Sequence, residues 1–365
     1  MSDTGTCSIP ITATESVLKS SDPLPDALPI SGYDFNNGCN YQAILNNMRT
    51  VGFQATNFSI AVDIINDMIN WSGEYVPEHD QEHEIRSEYI ERPITTKCTI
   101  FLGFTSNMIS CGNREVIRYL VQHRMVDALV TTGGGIEEDI IKCLAPHVLG
   151  SFHLDGRDLR RRGLNRIGNL IVPNANYCMF EDWVMPILKD LVQEQINTGS
   201  VLTPRSLIRR LGKEISNEDS VLYWAYKNDI PVFCPAITDG SLGDMLYFNS
   251  FKHETRLVID IVQDVVEINN LALHAAKTGV IVLGGGLVKH HILNANLMRN
   301  GADYAVFVNT AHSWDGSDAG ADPDESLSWG KLAPSSNSVK ITADASFIFP
   351  LLVAQTFAQK STKLS

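Results

Sequence analysis

From residue 98 onward, short apolar and often β-branched runs, each closed by glycine or a turn residue, alternate with segments of helical periodicity. The runs are "TIFLGF", "VDALVTT", "GNLIVP", "IPVFCP", "RLVIDI", "GVIVLGGG", "YAVFVNT" and "SVKITAD". Between them lie amphipathic stretches such as "NREVIRYLVQHR", in which Val116, Ile117, Leu120 and Val121 fall on one helical face. Continuous apolar strands separated by helices predict parallel strands buried on both sides. The expected fold is therefore α/β: a doubly wound, mostly parallel, Rossmann-like sheet in a single large domain with an N-terminal arm. A chain of 365 residues, 44% of them hydrophobic, can bury a core of that size.

Residues 1–31 are rich in Ser, Thr, Asp and Pro without periodicity and read as a mobile arm, leaving 32–365 as the folded domain. A second polar stretch, "WSGEYVPEHDQEHEIRSEYIERP", reads as a helix flanked by loops. A net charge of −13 argues against nucleic acid, which needs a basic face, and favours cationic partners such as a polyamine or a basic protein loop. No apolar run is long enough to cross a membrane, and "MSDTGTCSIPITATES" lacks the pattern of a secretory signal. The seven cysteines are scattered, and none is in a CxxC pair. They predict neither a disulfide framework nor a thiolate metal site, and Cys143 and Cys234 read as buried thiols. A cytoplasmic location is expected.

In doubly wound folds ligands bind beyond the carboxyl ends of the strands. "VDALV" is followed there by "TTGGGIEED" and "GVIVL" by "GGGLVKHH". Both read as strand, glycine turn, helix start, an arrangement that favours an anion, although glycines also serve plain tight turning. Neither matches the GxGxxG dinucleotide fingerprint. Other strand ends carry Thr105, Ser106 and Asn107; Asp239 and Asp244; Thr310 and Ala311; and Asp344.

The stretch "DGSDAGADPDESLSWGK" brings Asp315, Asp318, Asp322, Asp324 and Glu325 together before Trp329 and Lys331. In an extended segment, residues two apart share a side, so the amine is expected beside the indole, with Gly330 freeing the backbone. Desolvation against an aromatic disfavours an ammonium's charge, and only a neutral amine attacks a carbonyl or imine carbon. Carboxylates and an indole face suit a cationic substrate. "KHHILNAN" places His290 and Asn294 on one helix face, where His290 reads either as a packing residue or as a proton shuttle.

The segments "FLGFTSN", "TTGGGIEED", "NRIGNLIVPNANYC", "YWAYKNDIPVFCPAITDGSLGDMLYF", "VLGGGLVKHHILNANLMRNGADYAV" and "DESLSWGK" together resemble the deoxyhypusine synthase family, over about Gly32 to Gln359. The resemblance implies an NAD-dependent transferase. Such an enzyme passes the aminobutyl group of spermidine, through an enzyme-lysine imine, to one lysine of the precursor of eukaryotic translation initiation factor 5A. 1,3-Diaminopropane is released. It also implies a homotetramer with active sites at a dimer interface and an N-terminal arm covering a neighbouring entrance.

By that resemblance Lys331 is the imine-forming lysine, with His290 and Trp329 beside it. Spermidine would meet these three residues and Glu137, Glu138, Asp244, Asn294, Gly316, Ser317, Asp318 and Glu325. NAD would meet Ser106, Asn107, Met108, Ile109, Ser110, Thr132, Gly133, Gly134, Glu138, Asp239, Gly285, Thr310, Ala311, Asp315, Asp344 and Ala345. No metal is implied.

The chain departs from the family pattern at Gly133, where "TTAGG" is usual, and at His312, Ser313 and Trp314, where Gln, Glu and Phe are usual. Asp322 stands where Arg is usual. Two other readings are a homospermidine synthase that uses putrescine as acceptor and a non-catalytic paralogue that binds NAD beside an active subunit. Plant homospermidine synthases tend to carry Val and Asp where this chain has Ile292 and Asn296, and an inactive paralogue would be expected to lose Lys331 or a polyamine carboxylate.

Overall fold

The computed structural model describes residues 9–73, 97–252 and 255–361. Residues 1–8 of the arm and positions 74–93 of the polar stretch lie outside the described residues. Among the described residues nine strands form two sheets: β1 Cys98–Phe104, β2 Ala128–Val130, β3 Val148–Leu149, β4 Leu164–Ile167, β5 Leu170–Pro173, β6 Val232–Phe233, β7 Lys277–Leu283, β8 Ala302–Asn309 and β9 Leu332–Thr342. The six-stranded sheet has the order β6-β2-β1-β7-β8-β9 and is parallel throughout.

Alternation along these strands builds two cores. Ile100, Leu102 and Phe104 of β1, Ile281 and Leu283 of β7, and Val306 and Val308 of β8 pack on one face. Phe101, Val280, Val282, Ala305 and Phe307 pack on the other. Both faces are buried, so the strands are apolar without gaps, which is why their sequence reads as continuous rather than alternating. Each large side chain taken from water contributes about 1.5–3 kcal/mol. Helices cover both faces. Phe53–Asn70 lies on the first and buries Phe58, Ile64, Ile65 and Met68; Leu287–Leu297 lies on the second and buries Val288, Ile292 and Leu293.

Two runs read as strands of the main sheet are placed elsewhere. "GNLIVP" becomes β5, paired antiparallel with β3 and β4 in a separate three-stranded sheet. "RLVIDI" keeps only an isolated bridge, Leu202 to Ile259, because Asp260 caps the helix Ile261–Leu273 by accepting from the Val262 and Gln263 amides. In the arm, Ile11–Val17 forms a helix with no buried residue. The Ser31 amide then bonds the Thr50 carbonyl at 3.0 Å. Of the two thiols read as buried, Cys234 is buried and Cys143 is partly exposed beside Arg114. Among the described residues no helix is long and apolar enough to cross a membrane.

Candidate active site

The chain moves outward from β1 to β2 and β6 on one side, and from β7 to β8 and β9 on the other. The strand order therefore reverses between β1 and β7, and the carboxyl ends of these strands are the usual ligand position in such sheets.

On the β7–β9 side, Lys331 immediately precedes β9 and is 8% exposed. Its Nζ lies 3.5 Å from His290 Nδ1 and 5.7 Å from the centre of the Trp329 ring. His290 Nδ1 is also 3.4 Å from Asp318 Oδ1, so the imidazole sits between amine and carboxylate in two long contacts. Asp318 Oδ2 is buried and has no hydrogen-bond partner among the described residues. Asn294 follows one turn after His290, partly buried, while Glu325 is exposed in the first turn of the helix Pro323–Ser328.

The expected extended Trp–Gly–Lys segment is instead a helix ending. Trp329 is the C-cap of Pro323–Ser328 with φ −88°, and Gly330 takes φ +70°. The Gly330 amide bonds the Leu327 carbonyl at 2.9 Å and the Lys331 amide bonds Ser326 at 3.0 Å. This pairing is a Schellman ending, which favours glycine at the left-handed position. The indole and the amine still meet, but through this turn.

Two buried lysines lie under the acidic loop. Lys289, 1% exposed, donates to the carbonyls of Asp318 at 2.6 Å and Ala321 at 3.0 Å. Burial pushes its ammonium's pKa down, and Asp318 opposes the shift. Lys340 donates to the Gly320 carbonyl at 2.5 Å and lies 3.8 Å from Asp322. Neither was read as a site residue. The signal for Lys289 was its position on the buried helix face with Ile292, Leu293 and Asn296, since an interior lysine must be paired.

Residues 43–356 match the family model described as deoxyhypusine synthase. This chain belongs to the deoxyhypusine synthase family. A deoxyhypusine synthase of Senecio vernalis is 59% identical over 349 residues, 94% of this chain and 93% of that one. Homospermidine synthase 2 of the same plant is 57% identical over 359 residues, 97% of this chain and 96% of its own. A solved Entamoeba histolytica structure described as a deoxyhypusine synthase is 38% identical, covers 90% of this chain and 97% of its own, and has a TM-score of 0.66. Family membership makes the protein a transferase of aminobutyl groups, acting on spermidine in hypusine formation.

On the β2–β6 side of this deoxyhypusine synthase family member, the acidic residues hold backbone. Glu137 is buried in the helix Gly133–Leu144 and accepts from the Leu242 amide at 2.6 Å, capping the helix Ser241–Asn249. Burial raises its pKa, the Ser241 and Leu242 amides lower it, and Asp239 and Asp244 raise it again. Glu138 accepts from the Ser110 hydroxyl. Burial pushes its carboxyl up to about 7, with Ser110 opposing and Glu137 adding to the rise. Asp239 accepts from the Gly133 amide at 2.8 Å, and a Cβ on Gly133 would lie 2.2 Å from its Oδ1. Asp244 is exposed in the first turn of its helix. No hydrogen bond or ion pair among the described residues joins this group to Lys331, His290 and Asp318.

The remaining expected residues line the strand ends. The Ser106 amide bonds the Thr132 hydroxyl at 3.2 Å, which ties the β1 and β2 loops together, and Gly134 packs on Ser106. Asn107 is exposed, but Met108, Ile109 and Ser110 turn inward. Gly285 packs on Ala319, beside Gly284 and Gly286 at positive φ. Thr310 is exposed, and the Ala311 amide donates to Asn309. Asp315 accepts from the Ser317 amide at 2.7 Å; the Ser317 hydroxyl first, and then this amide, lower its pKa, and Gly316 follows at φ +70°. Asp344 caps the helix Ala345–Gln355 through the Ser346 amide, and Ala345 is buried.

Proposed function

We propose that this protein transfers the aminobutyl group of spermidine, with NAD, to a specific lysine of the eukaryotic translation initiation factor 5A precursor. The observation that carries the reading is Lys331, a nearly buried amine set between His290 and the exposed indole of Trp329 below a carboxylate loop. That arrangement sets a nucleophilic amine next to a cation-binding rim.

The residues at the strand ends fit NAD. The helix Leu287–Leu297 starts at Gly286 with no side-chain cap, and nothing lies within 4 Å of where a Gly286 Cβ would point. Its unpaired amides face the switch point and suit a pyrophosphate. Thr132, Ser106, Asn107 and Thr310 offer side-chain polar groups at the same strand ends. Bound NAD supplies hydride acceptance from spermidine and returns the hydride at the end, so no net oxidation occurs.

Glu325, Asp318 and Asp244 would bind the ammonium groups, and His290 would move a proton between Lys331 and Asp318. The neutral Lys331 amine adds to the imine carbon of oxidised spermidine. The C–N bond to 1,3-diaminopropane breaks, the leaving amine takes a proton, and the aminobutyl group stays on Lys331 as an imine. The acceptor lysine then displaces Lys331. The two carboxylate groups described above would meet across a subunit interface in a homotetramer, with the arm over a neighbouring entrance.

The homospermidine synthase relatives give a second reading with putrescine as acceptor. Ile292 and Asn296, where Val and Asp are expected in a homospermidine synthase, are fully buried here, and Asn296 accepts from the Thr278 hydroxyl at 2.7 Å. The test is labelled spermidine and NAD with the precursor protein and putrescine competing. Label in the protein is expected; label mainly in homospermidine would replace this reading with the second.

A further inference from the structure

Trp314 is 82% exposed at the tip of the one-turn helix Ser313–Asp315, more bare than any other tryptophan described. Its ring lies flat on His312, with centroids 4.5 Å apart and planes 4° apart. The support beneath is firm. The Asp315 amide bonds the His312 carbonyl at 3.3 Å, Asp315 accepts from the Ser317 amide, and the Gly320 amide bonds the Ser317 carbonyl at 3.0 Å. The buried Lys340 holds the Gly320 carbonyl from below. A large aromatic already ordered in water loses little freedom on binding, as interface anchors do.

The surroundings select the partner. Between Thr310 and Gly330 there is no lysine or arginine, but there are five carboxylates. Trp314 stands at one end of that segment and Trp329, 66% exposed and beside Lys331, at the other. Indole faces flanking carboxylates fit a cationic peptide, its charges lying over the rings and against the acids.

We propose that the His312–Trp314 stack is a docking element for a cationic segment of the protein substrate near its acceptor lysine. The proposal rests on the protein-acceptor reading above. It assigns Trp314 to recognition of the acceptor and to no part of spermidine cleavage.

The test uses full-length enzyme with Trp314→Ala and Trp314→Phe. Three rates are measured: 1,3-diaminopropane release from spermidine without acceptor, transfer to the precursor protein, and transfer to putrescine. Trp314→Ala should raise KM for the precursor about tenfold, the size of a desolvated cation–π contact, and leave its kcat and the other two rates unchanged. Trp314→Phe, which keeps an aromatic face, should restore most of the loss. Unchanged protein transfer in Trp314→Ala would overturn the proposal. So would a parallel fall in diaminopropane release, which assigns the indole to the donor or cofactor, or a loss of oligomer mass, which assigns it to a second copy. Failure of the unmodified enzyme to label any protein would instead remove the underlying reading, and is seen without any variant.

Discussion

The two sides of the switch point between β1 and β7 use acidic residues in opposite ways. On the β2–β6 side, carboxylates hold the backbone: Glu137 caps one helix, Asp239 takes the first amide of another, and Glu138 engages Ser110. On the β7–β9 side, lysines hold the backbone: Lys289 and Lys340 grip the carbonyls of Asp318, Gly320 and Ala321 from beneath. Asp315 of that loop accepts from the Ser317 amide and Asp322 faces Lys340, while Asp318 and Glu325 hold no backbone. Asp318 retains a buried oxygen without a hydrogen bond, and Glu325 makes no side-chain bond or ion pair among the described residues. Glu137, Glu138 and Asp239 thus do structural work on one side, whereas Asp318 and Glu325 hold no backbone on the other.

The largest test of this contrast is Lys289→Met, which keeps the volume and removes both grips. Charge-assisted bonds are worth about 1.5–3 kcal/mol each. Transfer should fall roughly a hundredfold, equivalent to about 3 kcal/mol, and the melting temperature should drop. Transfer at the unmodified rate would mean that the lysines do not position the loop.

Glu325→Gln and Glu137→Gln sharpen the comparison. Glu325→Gln should raise KM for spermidine about tenfold with no change in melting temperature. Glu137→Gln keeps an oxygen acceptor for the Leu242 amide, so stability should change by less than about 1 kcal/mol. If Glu137→Gln weakens spermidine as much as Glu325→Gln does, the carboxylate also serves the substrate and the division of labour fails.

A smaller effect concerns pH. Burial raises the Glu138 carboxyl from 4.5 to about 7, so the fold favours its neutral form. Its contribution to stability is full below 4.5, is lost as pH rises towards 7, and is flat above that, with a ceiling of about 3 kcal/mol. Glu138→Gln should flatten the pH dependence of unfolding free energy across this window. An unchanged slope would show that Glu138 is charged in the fold.

The six parallel strands were legible because runs such as "GVIVL" and "YAVFV" are apolar on both faces, which only a doubly covered sheet requires. Sheet membership was not legible for "GNLIVP", since a short apolar run looks alike in either sheet. "RLVIDI" misled because its β-branched residues continue into a helix, where Asp260 is the capping signal that should have ended the strand. In the site, the pairing of Trp329 with Lys331 was legible from their spacing. The Schellman turn that makes it was not, because an extended chain and a helix ending both place a glycine between them. Lys289 and Lys340 were missed because lysines are taken as surface residues unless the helical or strand phase is checked against burial.

The central claim is that Lys331 carries the aminobutyl group. Borohydride added to enzyme, NAD and spermidine should reduce the imine to a stable secondary amine. Peptide mass mapping should then find the added aminobutyl mass on Lys331, and Lys331→Arg should lose both the adduct and transfer while still binding NAD, since a guanidinium stays protonated. An adduct on Lys289, Lys340 or any other lysine, or transfer that survives the substitution, would contradict the account.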